Sequence, residues 1–307
     1  MVSISSKSNI IERTKEYWHK FNIWECYTSD DCLNKILKFL QKEYELIPEK
    51  ERIGKGSVYI SKNAAVGAFS IIKDKVNVLD FVEKCFNYKK IEKENHLKNF
   101  AIALLSEAIS SDKKLLIKSL VLIKEWADHN QWEIREMAGL PLRIGLKRDP
   151  SVIFSTFRNW ARSDNPNLRR IVAESMRPLS DIKWLRNPEK NDGVLQILSI
   201  LNADSSEYVR KSVGNNLKDL SKYMPEKILN ILKSWIIQSE IVVSDIISSK
   251  SKKELGENKF YLIWTIKHGL RRLRERNPEF HKDIVEILGK NYLLYYDEKR
   301  NKMALKK

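Results

Sequence analysis

The sequence predicts an all-α protein, a HEAT-like solenoid of stacked antiparallel helix pairs with a basic concave face. Three observations carry this. Apolar residues recur at i, i+3, i+4 and i+7, the helical period, with no convincing alternating strand. Glycine and proline are sparse, 10 and 8 in 307 residues, too few for an all-β fold full of turns. A unit of helix, short polar turn and second helix recurs, closing at Trp126, Trp160 and Leu201, spacings of 34 and then 41 residues.

The elements follow in chain order as one solenoid domain over 1–307. Residues 1–111 read as divergent helical units, of which ENHLKNFAIALLSEAIS (93–109) is the clearest, with Leu97, Phe100, Ala101, Leu104 and Ala108 on one face. Residues 112–276 carry the recognisable repeats, starting with DKKLLIKSLVLIKEWADH (112–129). Nine residues after each closing position stands an arginine, Arg135, Arg169 and Arg210, preceded each time by an apolar residue, Ile134, Leu168 and Val209. Four residues beyond those come Ala138, Val172 and Val213, and after four more Leu142, Met176 and Leu217, a stripe to be buried between neighbouring units. Asn130, Asp164 or Asn165 (before Pro166), and Ser205 or Ser206 are the expected caps. A fourth unit begins at PEKILNILKSWIIQS (225–239), is interrupted by a mobile basic loop at 240–258, and resumes as FYLIWTIKHGLRRLRER (260–276), which puts Lys267 in the place of Arg210. A C-terminal helix and basic tail fill 277–307.

Composition narrows the function. The net charge is +16, which favours an anionic partner, most often nucleic acid. Lysine is spread evenly, but of 17 arginines only Arg13 and Arg52 precede residue 131. The planar guanidinium fork suits phosphate, so an anion-facing region is expected in the second half. Three cysteines, Cys26, Cys32 and Cys85, lack metal-site spacing and predict no disulfide framework, as in a reduced, cytoplasmic protein. No apolar run reaches the ~20 residues of a membrane span, and the first residues lack a signal-peptide core. The five histidines are scattered, and no phosphate loop, nucleophile elbow or dinucleotide fingerprint is present. Neither metal nor other cofactor is implied, and a monomer is expected.

Two constellations could carry chemistry. Arg135, Arg169, Arg210 and Lys267, thickened by Arg170, Lys211, Arg271 and Arg272, form either a cationic row for DNA phosphates or a set of inter-repeat salt bridges with Glu136, Glu174 and Asp219. Trp132 and Glu136, four residues apart with Glu133 between them, share a helical face. They are either an indole and carboxylate for a cationic base and a sugar of developing positive charge, or a capping tryptophan with an acid favoured by the helix dipole. Trp132 and Glu136 do not recur in the next units, where Pro166 and Arg170, then Glu207 and Lys211, take their places.

WADHNQWEIRE, RRIVAESMRPLSDIKW (169–184), YVRKSVGNNLKDLSKYMPE (208–226) and WTIKHGLRR (264–272) resemble the DNA alkylation repair family of HEAT-like proteins, the AlkD and AlkC type, over about 120–275, with the AlkC branch nearest. The resemblance implies a monofunctional DNA glycosylase acting on N3- or N7-alkylated purines in duplex DNA, without deep base flipping. The family's Trp-Asp-x-x-Asp motif falls on Trp132-Glu133-Ile134-Arg135-Glu136, both aspartates being glutamate here. Glu136 is then the first candidate catalytic acid, Glu133 the second, and Trp132 the cleft aromatic. A backbone-contacting arginine falls on Arg169 or Arg170, and a second cleft tryptophan falls on Asn215. Asn215 and Asp219 become candidates for the opposite wall, Trp184 for the missing aromatic, and Arg177 and His268 for DNA-facing groups. Two other functions are compatible with the same scaffold: a non-catalytic binder of branched or distorted DNA, and a protein-binding adaptor.

Overall fold

The computed structural model describes residues 5–89, 95–179, 181–247 and 252–289. The chain divides into two compact units, Met1–Ile153 and Phe154–Lys307. Among the described residues every regular element is helical.

The first unit contains α1 (Lys7–Lys20), α2 (Ile23–Cys26), α3 (Asp30–Glu45), α4 (Ser57–Ile72), α5 (Val78–Phe86), α6 (His96–Ser111), α7 (Lys114–Ala127), α8 (Trp132–Met137) and α9 (Gly139–Arg148). The helices α1, α4, α6 and α9 pack one on the next, each buried along the shared face. The expected stripe of α6 (Leu97, Phe100, Ala101, Leu104, Ala108) is wholly buried. Gly67 of α4 lets α1 approach, since a Cβ there would stand 2.7 Å from the Ile11 carbonyl oxygen. Cys26 and Cys32 correct the expectation of unpaired thiols: they form a disulfide, because the turn between α2 and α3 brings their Cα atoms to 5.8 Å. Cys85 is free and buried.

After α10 (Pro150–Trp160), the second unit contains α11 (Pro166–Ser175), α12 (Asp192–Ile200), α13 (Glu207–Leu220), α14 (Pro225–Gln238), α15 (Val243–Ile247), α16 (Lys252–Leu255), α17 (Glu257–Gly269), α18 (Arg271–Arg276) and α19 (His281–Leu288). Here α11, α13 and α17 stack in turn. All nine repeat positions from Ile134 to Leu217 are buried, as are the closing residues Trp126, Trp160 and Leu201. Stacked helix pairs sharing a buried stripe are the architecture of a HEAT-like solenoid.

The local signals hold with small shifts. Pro166 opens α11, and the Asn165 side chain caps it, accepting from the Asn167 N–H at 2.8 Å. Gln131 rather than Asn130 takes the cap position of α8. Ser206 occupies that of α13, but Asp204 does the bonding, accepting the Ser206 N–H at 2.8 Å. The insertion expected to be a loop contains the short helices α15 and α16, with 248–251 outside the described residues. The basic tail at 290–307 also lies outside them.

Candidate nucleic-acid interface

Each turn between paired helices leaves backbone carbonyls with no partner in a helical ladder. The repeated arginine supplies one. Arg135 Nη1 donates to the carbonyls of His129 and Asn130 at 2.7 and 2.9 Å. Arg169 Nη1 does the same to Ser163 and Asp164 at 2.8 and 2.9 Å. Arg210 Nη1 reaches Asp204 and Ser205 at 2.7 and 2.8 Å. In every unit the acceptors stand six and five residues before the arginine. At the fourth place Lys267 Nζ donates instead to the Ile246 carbonyl of α15 at 3.2 Å, and burial pushes its pKa down to about 8.

The remaining edges of Arg169 and Arg210 reach the next repeat. Arg169 forks onto Asp204, Nε to Oδ2 at 2.6 Å and Nη2 to Oδ1 at 3.0 Å. Asp204, not one of the three expected acids, is thus the partner of Arg169. Arg210 is buried and lies over the Tyr261 ring at 4.1 Å. Arg170, also buried, lies over Tyr208 at 4.3 Å, with Glu174 at 3.9 Å. Arg169, Arg170 and Arg210 thus each engage the next repeat as well as lining their own. Lys211 is exposed and pairs within its own helix with Glu207 at 2.7 Å.

In the first unit the sequence-predicted acids sit on α8. Trp132 begins this helix and is 60% exposed, so it does not pack down on the preceding turn. Trp126, six residues earlier, is 1% exposed and stacks on Phe86 with ring centroids 5.0 Å apart. Glu136 is half-buried one turn after Trp132. Glu133 is exposed and lines a groove of about 510 Å³ with Tyr59, Lys62, Asn95 and Asn99. An indole face and two carboxylates therefore share one short helix, with Ile134 and Met137 anchoring its other side.

In the second unit, Asn215, Asp219, Arg271 and Arg272 line one cleft of about 360 Å³. Arg271 Nη2 donates to Asn215 Oδ1 at 2.8 Å, and its Nε to the His268 carbonyl at 2.8 Å. The His268 ring stacks on Trp264, 4.8 Å away and 11° from parallel. Asp219 is clasped by Arg177, from Nε at 2.9 Å and Nη2 at 2.5 Å, and by Lys218 at 3.2 Å. Glu174 joins the same network, accepting from Arg177 at 3.2 Å and from the Ser212 hydroxyl at 2.8 Å. Trp184 is half-buried, edge-on to Phe154 at 6.0 Å. Sequence reasoning missed Lys218, Arg276 and Trp264 here. Trp264 had a signal, standing one helical turn before His268, whereas Lys218 and Arg276 had none.

Among the described residues no cluster of His, Cys, Asp and Glu could hold a metal ion, and no helix is long and apolar enough to cross a membrane.

Known proteins place these features in context. The Bacillus subtilis (strain 168) protein YhaZ is 33% identical over 117 residues, which are 37% of this chain and 31% of YhaZ, so the match spans under a third of that protein. The crystal structure of AlkD2 from Streptococcus mutans shares the fold, with a TM-score of 0.54 at 20% identity, covering 78% of this chain and 97% of that one. The Pseudomonas fluorescens alkylpurine DNA glycosylase AlkC, bound to DNA containing an abasic site analog, gives a TM-score of 0.49 at 19% identity, covering 85% and 68%. Residues 62–239, more than half of the chain and including α8 and most of the repeats, match the family described as DNA alkylation repair enzyme. By that match the chain belongs to the DNA alkylation repair enzyme family.

Proposed function

We propose that the protein is a monofunctional DNA glycosylase that hydrolyses the N-glycosidic bond of N3- or N7-alkylated purines in duplex DNA. The observation that carries this is the exposed Trp132 beside Glu133 and Glu136, on a helix inside the family-matching region. An alkylated purine is cationic, and an indole face attracts cations. As the C1′–N bond breaks, its electron pair goes to the base, which leaves neutral, and positive charge moves to the sugar. A carboxylate at that place stabilises the oxocarbenium-like state. Water then attacks C1′ and passes its proton to the carboxylate that positions it, which returns it to solvent. Glu136 is the first candidate for the charge-stabilising acid and Glu133 for the water-positioning one. Asp219 is a weaker candidate, because Arg177 and Lys218 already neutralise it. Arg177, Asn215 and His268 are assigned to the DNA-facing side with Arg271 and Arg272.

The test is release of methylated base from N-methylated duplex DNA. Glu136→Gln is expected to slow release about 10²–10³-fold, the usual effect of deleting one electrostatic stabiliser, while duplex affinity holds. A wild-type protein that frees no methylated base overturns the assignment.

A further inference from the structure

The family match begins at residue 62, and helices α1 and α3 both precede it. Between them runs a groove of about 500 Å³ that lies wholly outside the family-matching region. Its floor is aromatic and apolar. Tyr17 of α1 is half-buried there, its ring 4.6 Å from that of Phe39 on α3 and 4.6 Å from that of Phe21. The Tyr17 hydroxyl donates to the Lys35 carbonyl at 3.1 Å, which fixes the ring across the seam between the helices. Leu46, also half-buried, continues the floor. Arg13 Nε donates to Glu43 Oε1 at 2.8 Å, and Glu43 is buried, so this pair braces the two helices and offers a ligand no net charge.

The rim is lysine. Lys20 stands on α1, and Lys38 and Lys42, one helical turn apart, stand on α3; all three are exposed. Lys20 lies over the Phe21 ring at 5.6 Å. Among the described residues none of the three forms an ion pair, whereas Lys15 and Lys35 on the same helices are matched by Glu12 and Asp31 at 2.8 and 2.6 Å. Unmatched cations around an apolar trough complement a segment with apolar side chains on one face and carboxylates beside them. A DNA strand fits less well. Arg13, the one guanidinium of the groove, is already engaged by Glu43, and Glu16 on the rim repels a continuous phosphate backbone.

We infer that the groove between α1 and α3 is a docking site for an acidic amphipathic peptide of a partner protein. Its apolar side chains lie on Tyr17, Phe39 and Leu46, and its carboxylates meet Lys20, Lys38 and Lys42. The inference stands apart from the proposed function.

The experiment selects ligands for the full-length protein from a displayed library of random short peptides. The wild type is expected to enrich sequences that combine Asp or Glu with Leu, Phe or Trp at helical spacing, and the best of them, fluorescently labelled, should bind more weakly as salt rises. The double variant Lys38→Glu/Lys42→Glu, at two exposed positions, should keep the wild-type Tm and bind that peptide about tenfold more weakly or worse, since like charges then face each other. Lys118→Glu, at an exposed position of α7, should leave the peptide affinity unchanged. A wild-type selection that enriches no acidic amphipathic peptide overturns the inference, as do peptides that bind the double variant with wild-type affinity. A double variant that loses affinity for duplex DNA or oligothymidylate while holding the peptide assigns the groove to nucleic acid and also overturns it. A wild-type dimer that the double variant dissolves assigns the groove to a second copy of the chain, with the same consequence.

Discussion

Replacing Arg169 by alanine separates a scaffold role from a DNA-contact role. The wild-type side chain makes four hydrogen bonds, two to the Ser163 and Asp164 carbonyls and two to the Asp204 carboxylate. The pair is well shielded, with side-chain exposures of 14% and 5%. Removing the arginine leaves Asp204 with its Ser206 N–H bond but no cation, and strands two turn carbonyls. Breaking a buried, hydrogen-bonded pair from one side costs about 3–5 kcal/mol. In a unit of this size that corresponds to a fall in Tm of roughly 6–20 °C. Urea denaturation and thermal melts of Arg169→Ala, Asp204→Asn and the double variant would measure it. The double variant should lose clearly less than the sum of the singles, since the two residues share one network. A loss below about 1 kcal/mol for Arg169→Ala, with additive singles, would refute the turn-and-bridge role, because pairs worth that little behave as solvated surface contacts.

Three further outcomes are expected. Trp126→Ala should cost about 3–5 kcal/mol by emptying a core site, whereas Trp132→Ala should change stability by less than about 0.5 kcal/mol and act only on DNA; chemical denaturation of both variants checks this. Gly214→Ala gains roughly 1 kcal/mol of helix propensity but forces the His268 ring aside at about 1–3 kcal/mol, so a lower Tm and weaker duplex binding should appear together, and a raised Tm counts against the close packing of α13 on α17. Burial holds the His96 pKa at about 4, below its ordinary 6.5, so the unfolded chain takes up the proton first as pH falls. That stabilisation is full above pH 6.5 and is lost between there and about 4, at most about 3 kcal/mol, and a His96→Phe variant should show a correspondingly flatter urea midpoint against pH.

The repeat was legible because burial obeys a period: Ile134, Leu168 and Val209, with their partners four and eight residues on, could be placed from spacing alone. The direction of the neighbouring arginines was not. A period says that Arg169 follows a buried residue, but not that its guanidinium folds back over the preceding turn. The constant distance from turn to arginine was visible in the sequence and, in hindsight, was the signal of a local bond rather than of a distant ligand. Trp132 was legible as the residue that breaks the repeat, and its exposure agrees with that. Asn215, His268 and Arg271 meet across separations of 53 and 56 residues, which no local pattern encodes. The Cys26–Cys32 bridge was missed because the pairing depends on the angle at which α2 meets α3, not on spacing.

The turn-holding arginine also bears on how such a chain can change. The arginine holds each turn through main-chain oxygens, which any residue supplies. The residue three places before the arginine is Trp132 in one unit, Pro166 in the next and Glu207 in the third, on turns held alike. In these three units the arginine's hold on the turn does not depend on which residue stands at that position. A repair surface could be rewritten unit by unit there, an aromatic gained or an acid lost, while the stack beneath it stays as it is.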